Sequence, residues 1–207
     1  MNEKFIISIG RQFGSGGREI GEKLAASLEF SFYDKELIQL ASEQSGLGKE
    51  FFEKADEKTS FSFLGGLFGA HNNFSNEMYS NSYLSNEALF KLQSDVISDL
   101  AQKQSCVFIG RCADYVLKDH PHCLNIFISA DMDDRIKRII RKQNIPENKA
   151  ADLIEKTDKK RASYYNYYSN KVWGAADSYH LCINSSVLGI DGTVEAIRDF
   201  AVKMFKI

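Results

Sequence analysis

Five short stretches of the chain are apolar at most positions: Lys4 to Ile9, Phe30 to Tyr33, Ser105 to Ile109, Leu124 to Ile128 and Tyr179 to Asn184. Their shortness predicts strands. Most are too continuously apolar for a one-sided sheet, so they read as strands covered on both faces. Between them apolar positions recur every three or four residues: Ile20, Leu24 and Leu28; Leu89, Leu92, Val96 and Leu100; Ile136, Ile139 and Ile140; Val194, Ile197, Ala201, Met204 and Phe205. That spacing lines one face of an α-helix. Strands alternating with amphipathic helices predict an α/β fold in three layers, a parallel five-stranded sheet flanked by helices, in a single domain over residues 1–207.

Two segments break the alternation, and both are longer than a connection requires. Thr59 to Asn86 is rich in Ser, Asn, Gly and Phe without a clear period, which fits an insertion, a cover over a site, or a plain disordered loop. Asp131 to Trp173 has helical character, and Pro146 marks the entry to its second helix. With two prolines in the chain and no repeat, nothing suggests a linker between independent domains.

Composition narrows the function classes. At 43% hydrophobic and 26% charged residues the chain is ordinary globular material, and 26 basic against 28 acidic side chains provide no global field for nucleic acid or anionic lipid. Any anion site is therefore local. No window approaches a membrane span, and MNEKFIISIG lacks a signal-peptide layout, so the expected setting is cytoplasmic, without nucleic-acid or membrane partners. Cys106, Cys112, Cys123 and Cys182 have neither disulfide-motif nor zinc-like spacing with His71, His120, His122 and His180. They read as small hydrophobes in a reducing compartment.

The clearest chemistry follows the first strand: Gly10-Arg-Gln-Phe-Gly14-Ser15-Gly16-Gly17-Arg18-Glu19, running directly into the Ile20/Leu24/Leu28 helix. Glycines let successive backbone N–H groups converge on an anion at the helix N-terminus, which suits a polyphosphate. The Walker signature G-x-x-x-x-G-K-[ST] is not met, because Gly17-Arg18 or Arg18-Glu19, depending on frame, stand where its lysine and hydroxyl belong. Arg18 can supply the missing charge as a bidentate fork. Glu19, or Asp34 at the end of the second strand, can hold Mg2+ through water.

From Arg135 to Arg161 the chain carries ten basic and four acidic residues, a local excess of six in an otherwise acidic protein. A basic helical flap closing over a polyphosphate would provide the charge that phosphoryl transfer needs. A solvated basic face is the alternative. Arg135 and Arg138 share one helix face, as do Asp158 and Arg161. Tyr164, Tyr165, Tyr167, Tyr168 and Trp173 follow, placed to pack the flap or to stack on a base.

In the turn Arg11-Gln12-Phe13-Gly14-Ser15-Gly16-Gly17-Arg18-Glu19, in Tyr33-Asp34, Gly110-Arg111, Asp134-Arg135, Arg138, Asp158-Lys-Lys-Arg161 and Ala175-Ala176-Asp177, the sequence resembles the cytidylate kinase-like family over nearly its whole length. The resemblance implies a P-loop nucleoside monophosphate kinase fold with strand order 2-3-1-4-5 and a helical lid. It implies ATP with Mg2+ as donor and CMP or dCMP as acceptor. Residue by residue, it implies Asp34 beside the loop, Arg111 on the acceptor phosphate, Asp158 and Arg161 on the acceptor sugar, and Arg135 and Arg138 on the transferring group. Typical cytidylate kinases carry Asp-Gly-Arg-Asp where this chain has Ile109-Gly110-Arg111-Cys112. They also carry a hydroxyl residue and an arginine where Lys35 and Leu40 stand. The competing readings are a nucleotide-binding module without transfer and an ATP-dependent kinase for another small molecule.

Overall fold

The computed structural model describes residues 3–35 and 78–207. Leu40 and the Thr59 to Glu77 part of the Ser/Asn-rich segment lie outside the described residues. The chain divides into two compact units, Met1–Lys35 with Ser98–Ile207, and Glu36–Ile97. Of the second unit, the described part is helix α2 (Met78–Lys103) as far as Ile97. Its backbone is helical from Met78, eight residues before the expected end of the aperiodic segment at Asn86. Once a helix is nucleated each further residue adds one backbone hydrogen bond, so polar Ser and Asn positions extend it without a hydrophobic period.

The first unit is built on five strands, β1 (Ile6–Arg11), β2 (Ser31–Tyr33), β3 (Cys106–Ile109), β4 (Cys123–Ser129) and β5 (Leu181–Asn184). All pairings are parallel and the order is β2-β3-β1-β4-β5, as the family resemblance implies. β1 lies in the middle, with Ile9 opposite Ile109 on one side and Ile126 on the other. It runs two residues beyond the apolar stretch because Gly10 and Arg11 still pair with Phe127 and Ile128. β5 starts two residues later than its apolar stretch, after a 3-10 turn at Ala176–Ser178.

Helix α1 (Gly17–Leu28) and the C-terminal helix α6 (Ser185–Phe205, kinked at Gly189) cover one face of the sheet. Ile20, Leu24, Val194, Ile197, Ala201 and Phe205 pack there against Ile7, Ile9, Val107, Ile109, Leu124 and Ile126. Each fully buried aliphatic side chain contributes roughly 1.5–3 kcal/mol relative to exposure. Beyond the strand ends lie α3 (Ala113–Val116), α4 (Met132–Gln143) and α5 (Glu147–Ser169), the last with Pro146 as its N-cap. Among the described residues no helix is long and apolar enough to cross a membrane. Cys106, Cys112 and Cys123 are buried free thiols whose pKa burial pushes up to about 12, whereas Cys182 is exposed.

Candidate active site

The glycine-rich turn leaves the centre of the sheet at Arg11 and enters α1 at Gly17. The N-cap of α1 is Gly16, with φ 80° and no side-chain cap; a Cβ there would run into the Ile190 side chain, so only glycine fits the start of the helix. Gly14 has φ 82°, and a Cβ placed on it would lie 3.0 Å from the Arg135 carbonyl oxygen and 3.1 Å from the Arg135 Cβ. The loop backbone therefore rests directly on α4, and only glycine allows both the conformation and the approach. Ser15 is fully buried. Its hydroxyl donates to the Gln12 carbonyl at 2.9 Å, and its carbonyl accepts from the Ser185 hydroxyl at 2.7 Å.

Most of the charged residues around the loop hold its backbone. Phe13 N–H donates to Asp158 Oδ1 at 2.7 Å, and the Phe13 carbonyl accepts from Arg135 Nε at 2.8 Å. Arg135 Nη2 in turn pairs with Asp158 Oδ2, closing a three-membered clamp around the backbone of one residue, Phe13. Arg138 Nη1 donates to the Gly14 carbonyl. Arg161 Nη1 donates to the Arg11 carbonyl at 2.9 Å, and its guanidinium lies 5.4 Å from the centre of the Phe13 ring. Burial, and then the neighbouring Arg111 and Arg135, push the Arg161 pKa down, while Asp158 pulls it up. Four residues expected on the flap, Arg135, Arg138, Asp158 and Arg161, thus converge on the turn.

Arg111 sits in a separate turn. Gly110, Arg111 and Cys112 are three successive residues with positive φ, of 73°, 59° and 54°. A non-glycine residue in that region costs on the order of 1–3 kcal/mol, and such strain accumulates where a side chain or backbone must be aimed. The Arg111 guanidinium lies 5.1 Å from the centre of the Tyr164 ring, one turn of α5 beyond Arg161. Burial pushes the Tyr164 pKa up, against the pull of Arg111. The other aromatics of this region pack: Tyr165 stacks on Tyr179, Tyr164 and Tyr167 both meet Tyr168, and Trp173 meets the edge of Phe127. Beneath them Asp114 is buried and accepts from the Tyr165 hydroxyl at 2.7 Å, and burial pushes its pKa up.

Arg18 pairs with carboxylates rather than with the loop backbone. Its Nε and Nη2 both reach Asp34 Oδ2 at 2.8 Å, and Nη1 reaches Glu22 at 3.3 Å. Its side chain is 60% exposed, whereas that of Asp34 is 4% exposed. Glu19 faces Lys23 at 3.9 Å. Among the described residues no cluster of three or more metal-type ligands exists. The two carboxylates that the sequence offers for Mg2+ are both ion-paired, Asp34 with Arg18 and Glu19 with Lys23.

Over the loop lies a cleft of about 180 Å3, lined by the turn from Arg11 to Gly14 and from Gly16 to Glu19, with Arg138, Ile139, Lys142 and Arg161. At roughly 30 Å3 per water, this is space for about six waters, the scale of a few phosphate groups. Sequence reasoning missed Lys142 as a lining residue, Ser185 as a support of the loop and Tyr164 as the platform under Arg111. The signal for Ser185 was its place at the start of the last helix, directly after the fifth strand.

A sequence profile described as the cytidylate kinase-like family matches residues 6–187. No curated protein matches the chain. An uncharacterized protein from Eubacterium ventriosum ATCC 27560 has a solved structure with 26% identity and a TM-score of 0.71, over 96% of this chain and 98% of that one. Shikimate kinase from Bacteroides thetaiotaomicron is similar in fold, with 14% identity and a TM-score of 0.51 over 95% of this chain and 97% of that one.

Proposed function

The chain belongs to the cytidylate kinase-like family, and from that premise we propose that it transfers the terminal phosphoryl group of ATP to a nucleoside monophosphate, with CMP and dCMP as leading acceptors. One observation carries this reading: guanidinium groups from α4 and α5 gather on a glycine turn at the N-terminus of α1. Phosphoryl transfer consists largely of positioning and charge stabilisation, which this arrangement supplies. The backbone from Gly14 to Glu19 cradles the donor phosphates, with Arg18 at the rim and Arg138 beside Gly16. Arg111, aimed by its strained turn, takes the acceptor phosphate with Arg161. Arg135 and Asp158 hold the loop in register, and Asp158, with 17% of its side chain exposed, would also contact the acceptor sugar.

An acceptor phosphate oxygen bonds to the γ phosphorus as the bond to the β,γ-bridging oxygen breaks, and ADP leaves with that electron pair. Asp34 and Glu19 would hold Mg2+ through water, and the bound ion would supply charge neutralisation on the phosphoryl oxygens. One observation favours a binding module without transfer: Arg18 is already engaged by Asp34 and Glu22. A panel of CMP, dCMP, UMP, AMP and the unphosphorylated acceptor shikimate, each incubated with ATP and Mg2+, separates these readings by ADP release. CMP or dCMP turnover supports the kinase. ATP binding with no turnover on any acceptor refutes it in favour of the module.

A further inference from the structure

The Walker signature can be laid on this turn so that its second glycine falls on Gly16, as the N-cap position of α1 favours. The lysine place is then Gly17 and the first-glycine place is Arg11. The chain thus has an arginine where the signature has its opening glycine, and a glycine where it has its lysine. The structure ties the two exchanges together. A Cβ built on Gly17 would lie 2.6 Å from Arg11 Cβ and 3.0 Å from Arg11 Cγ. The stem of Arg11 therefore fills the space in which a side chain at position 17 would begin. Real Cβ atoms do not approach that closely, and the obstacle is the near, stiff end of the Arg11 side chain rather than its far end.

Beyond the stem, the Arg11 guanidinium ends against Gly110. A Cβ on that glycine would collide with Nη1, and Cζ lies 3.3 Å from the same point. Gly110 opens the turn that carries Arg111, and β1 and β3 are neighbours in register up to Ile9 and Ile109. Arg11 also lines the cleft over the loop. Its charged end thus lies between the glycine turn and the Arg111 turn. Arg18, which lines the same cleft, is paired with Asp34 and Glu22.

We propose that Arg11 performs the work of the Walker lysine, reaching the terminal donor phosphates from the start of the loop, and that Gly17 is glycine because the Arg11 stem crosses it. The cation has changed its point of attachment while keeping its place between donor and acceptor. An arginine suits the longer route, since its fork binds a phosphate through two parallel N–H bonds where a lysine offers a point charge. The inference rests on the reading of the turn as a triphosphate site.

The test is affinity for MgATP and for inorganic tripolyphosphate, measured by titration calorimetry on the intact chain and its variants, with melting temperature as the control for folding. Arg11→Ala is expected to weaken both ligands by roughly tenfold to 150-fold, the value of a charge-assisted contact. Arg11→Gln keeps a stem over Gly17 and removes the charge, so it should lose affinity similarly and supplies the answer if Arg11→Ala does not fold. Gly17→Lys alone should lose binding, because two side chains then compete for one space. Arg11→Gly combined with Gly17→Lys restores the opening glycine and the lysine of the signature and should recover binding to within about tenfold of the intact chain. Unchanged affinity in folded Arg11→Ala and Arg11→Gln overturns the proposal and leaves the kinase reading standing. So does a folded double variant that binds no better than Gly17→Lys alone. Failure of the intact chain to bind either ligand overturns the proposal and the kinase reading together. Binding that depends on Arg11 without turnover on any acceptor sinks the kinase reading alone.

Discussion

Removing the Asp158 carboxylate tests the loop clamp most directly. In Asp158→Ala the Phe13 N–H loses its acceptor at 2.7 Å, and Arg135, whose side chain is 4% exposed, loses the carboxylate that balances its charge. Stripping one partner from a buried ion pair costs about 3–5 kcal/mol. The Asp158 side chain is 17% exposed, so water partly replaces it and the lower end, about 3 kcal/mol, applies. For a chain of this size each kcal/mol moves the melting temperature by about 2–4 °C, giving a fall of roughly 6–12 °C by calorimetry. Asp158→Asn can keep an amide oxygen for Phe13, but its NH2 then meets the Arg135 Nη2 donor and the buried charge stays unbalanced, so its fall should approach that of Asp158→Ala. Arg135→Met and the double variant complete a cycle in which the two losses should be strongly non-additive. A folded Asp158→Ala protein melting within 2 °C of the intact chain would refute the clamp. Kinetics then divide structure from substrate contact: if Asp158 also touches the acceptor sugar, Asp158→Asn should raise KM for CMP more than for dCMP, which lacks one hydroxyl.

Further outcomes follow from the same geometry. Arg111→Ala should raise the acceptor KM roughly tenfold to 150-fold and leave ATP affinity nearly untouched, since a single charge-assisted bond to the acceptor is lost; equal damage to ATP binding would remove Arg111 from the acceptor side. Arg18→Ala should weaken ATP less than Arg11→Ala, because its guanidinium is exposed and already engaged by carboxylates; calorimetry on both variants checks the order. Asp114, with its folded pKa raised by burial, binds its proton more readily folded than unfolded. Its contribution is thus greatest below the ordinary carboxylate pKa and is lost as pH rises through the raised value. Asp114→Asn should accordingly gain melting temperature relative to the intact chain at pH 7 and lose that advantage toward pH 4; an advantage constant with pH would count against the burial effect.

The sheet was legible because its strands are written in runs such as Ile6-Ile7 and Cys106-Val107-Phe108-Ile109, which have no exposed face to accommodate. The turn was legible because its glycines stand between a strand and a helix within ten residues. What the clamp does was hidden by distance: Phe13 and Asp158 are 145 positions apart, and neither sequence neighbourhood announces a backbone partner. Spacing alone made Arg135 and Arg138 a shared helix face. It could not say that this face would be turned onto the loop backbone. Arg18 looked like the natural heir to the lysine because it follows the glycines. The direction of its side chain depended on Asp34, which arrives from the end of β2 and takes two of its donors.

The loop also has a schedule. It belongs to the first strand made, yet β1 pairs with β3 and β4, and the loop backbone is held by Arg135, Arg138, Asp158, Arg161 and finally Ser185. Synthesis at about 5–20 residues per second separates Ser15 from Ser185 by on the order of ten to thirty seconds. Within that interval the supports of the loop are made one after another, from Arg135 to Ser185. The supports of the loop are therefore completed late, and a ribosome stalled before residue 135 displays the phosphate-binding sequence without any of the side chains from α4, α5 and α6 that hold it.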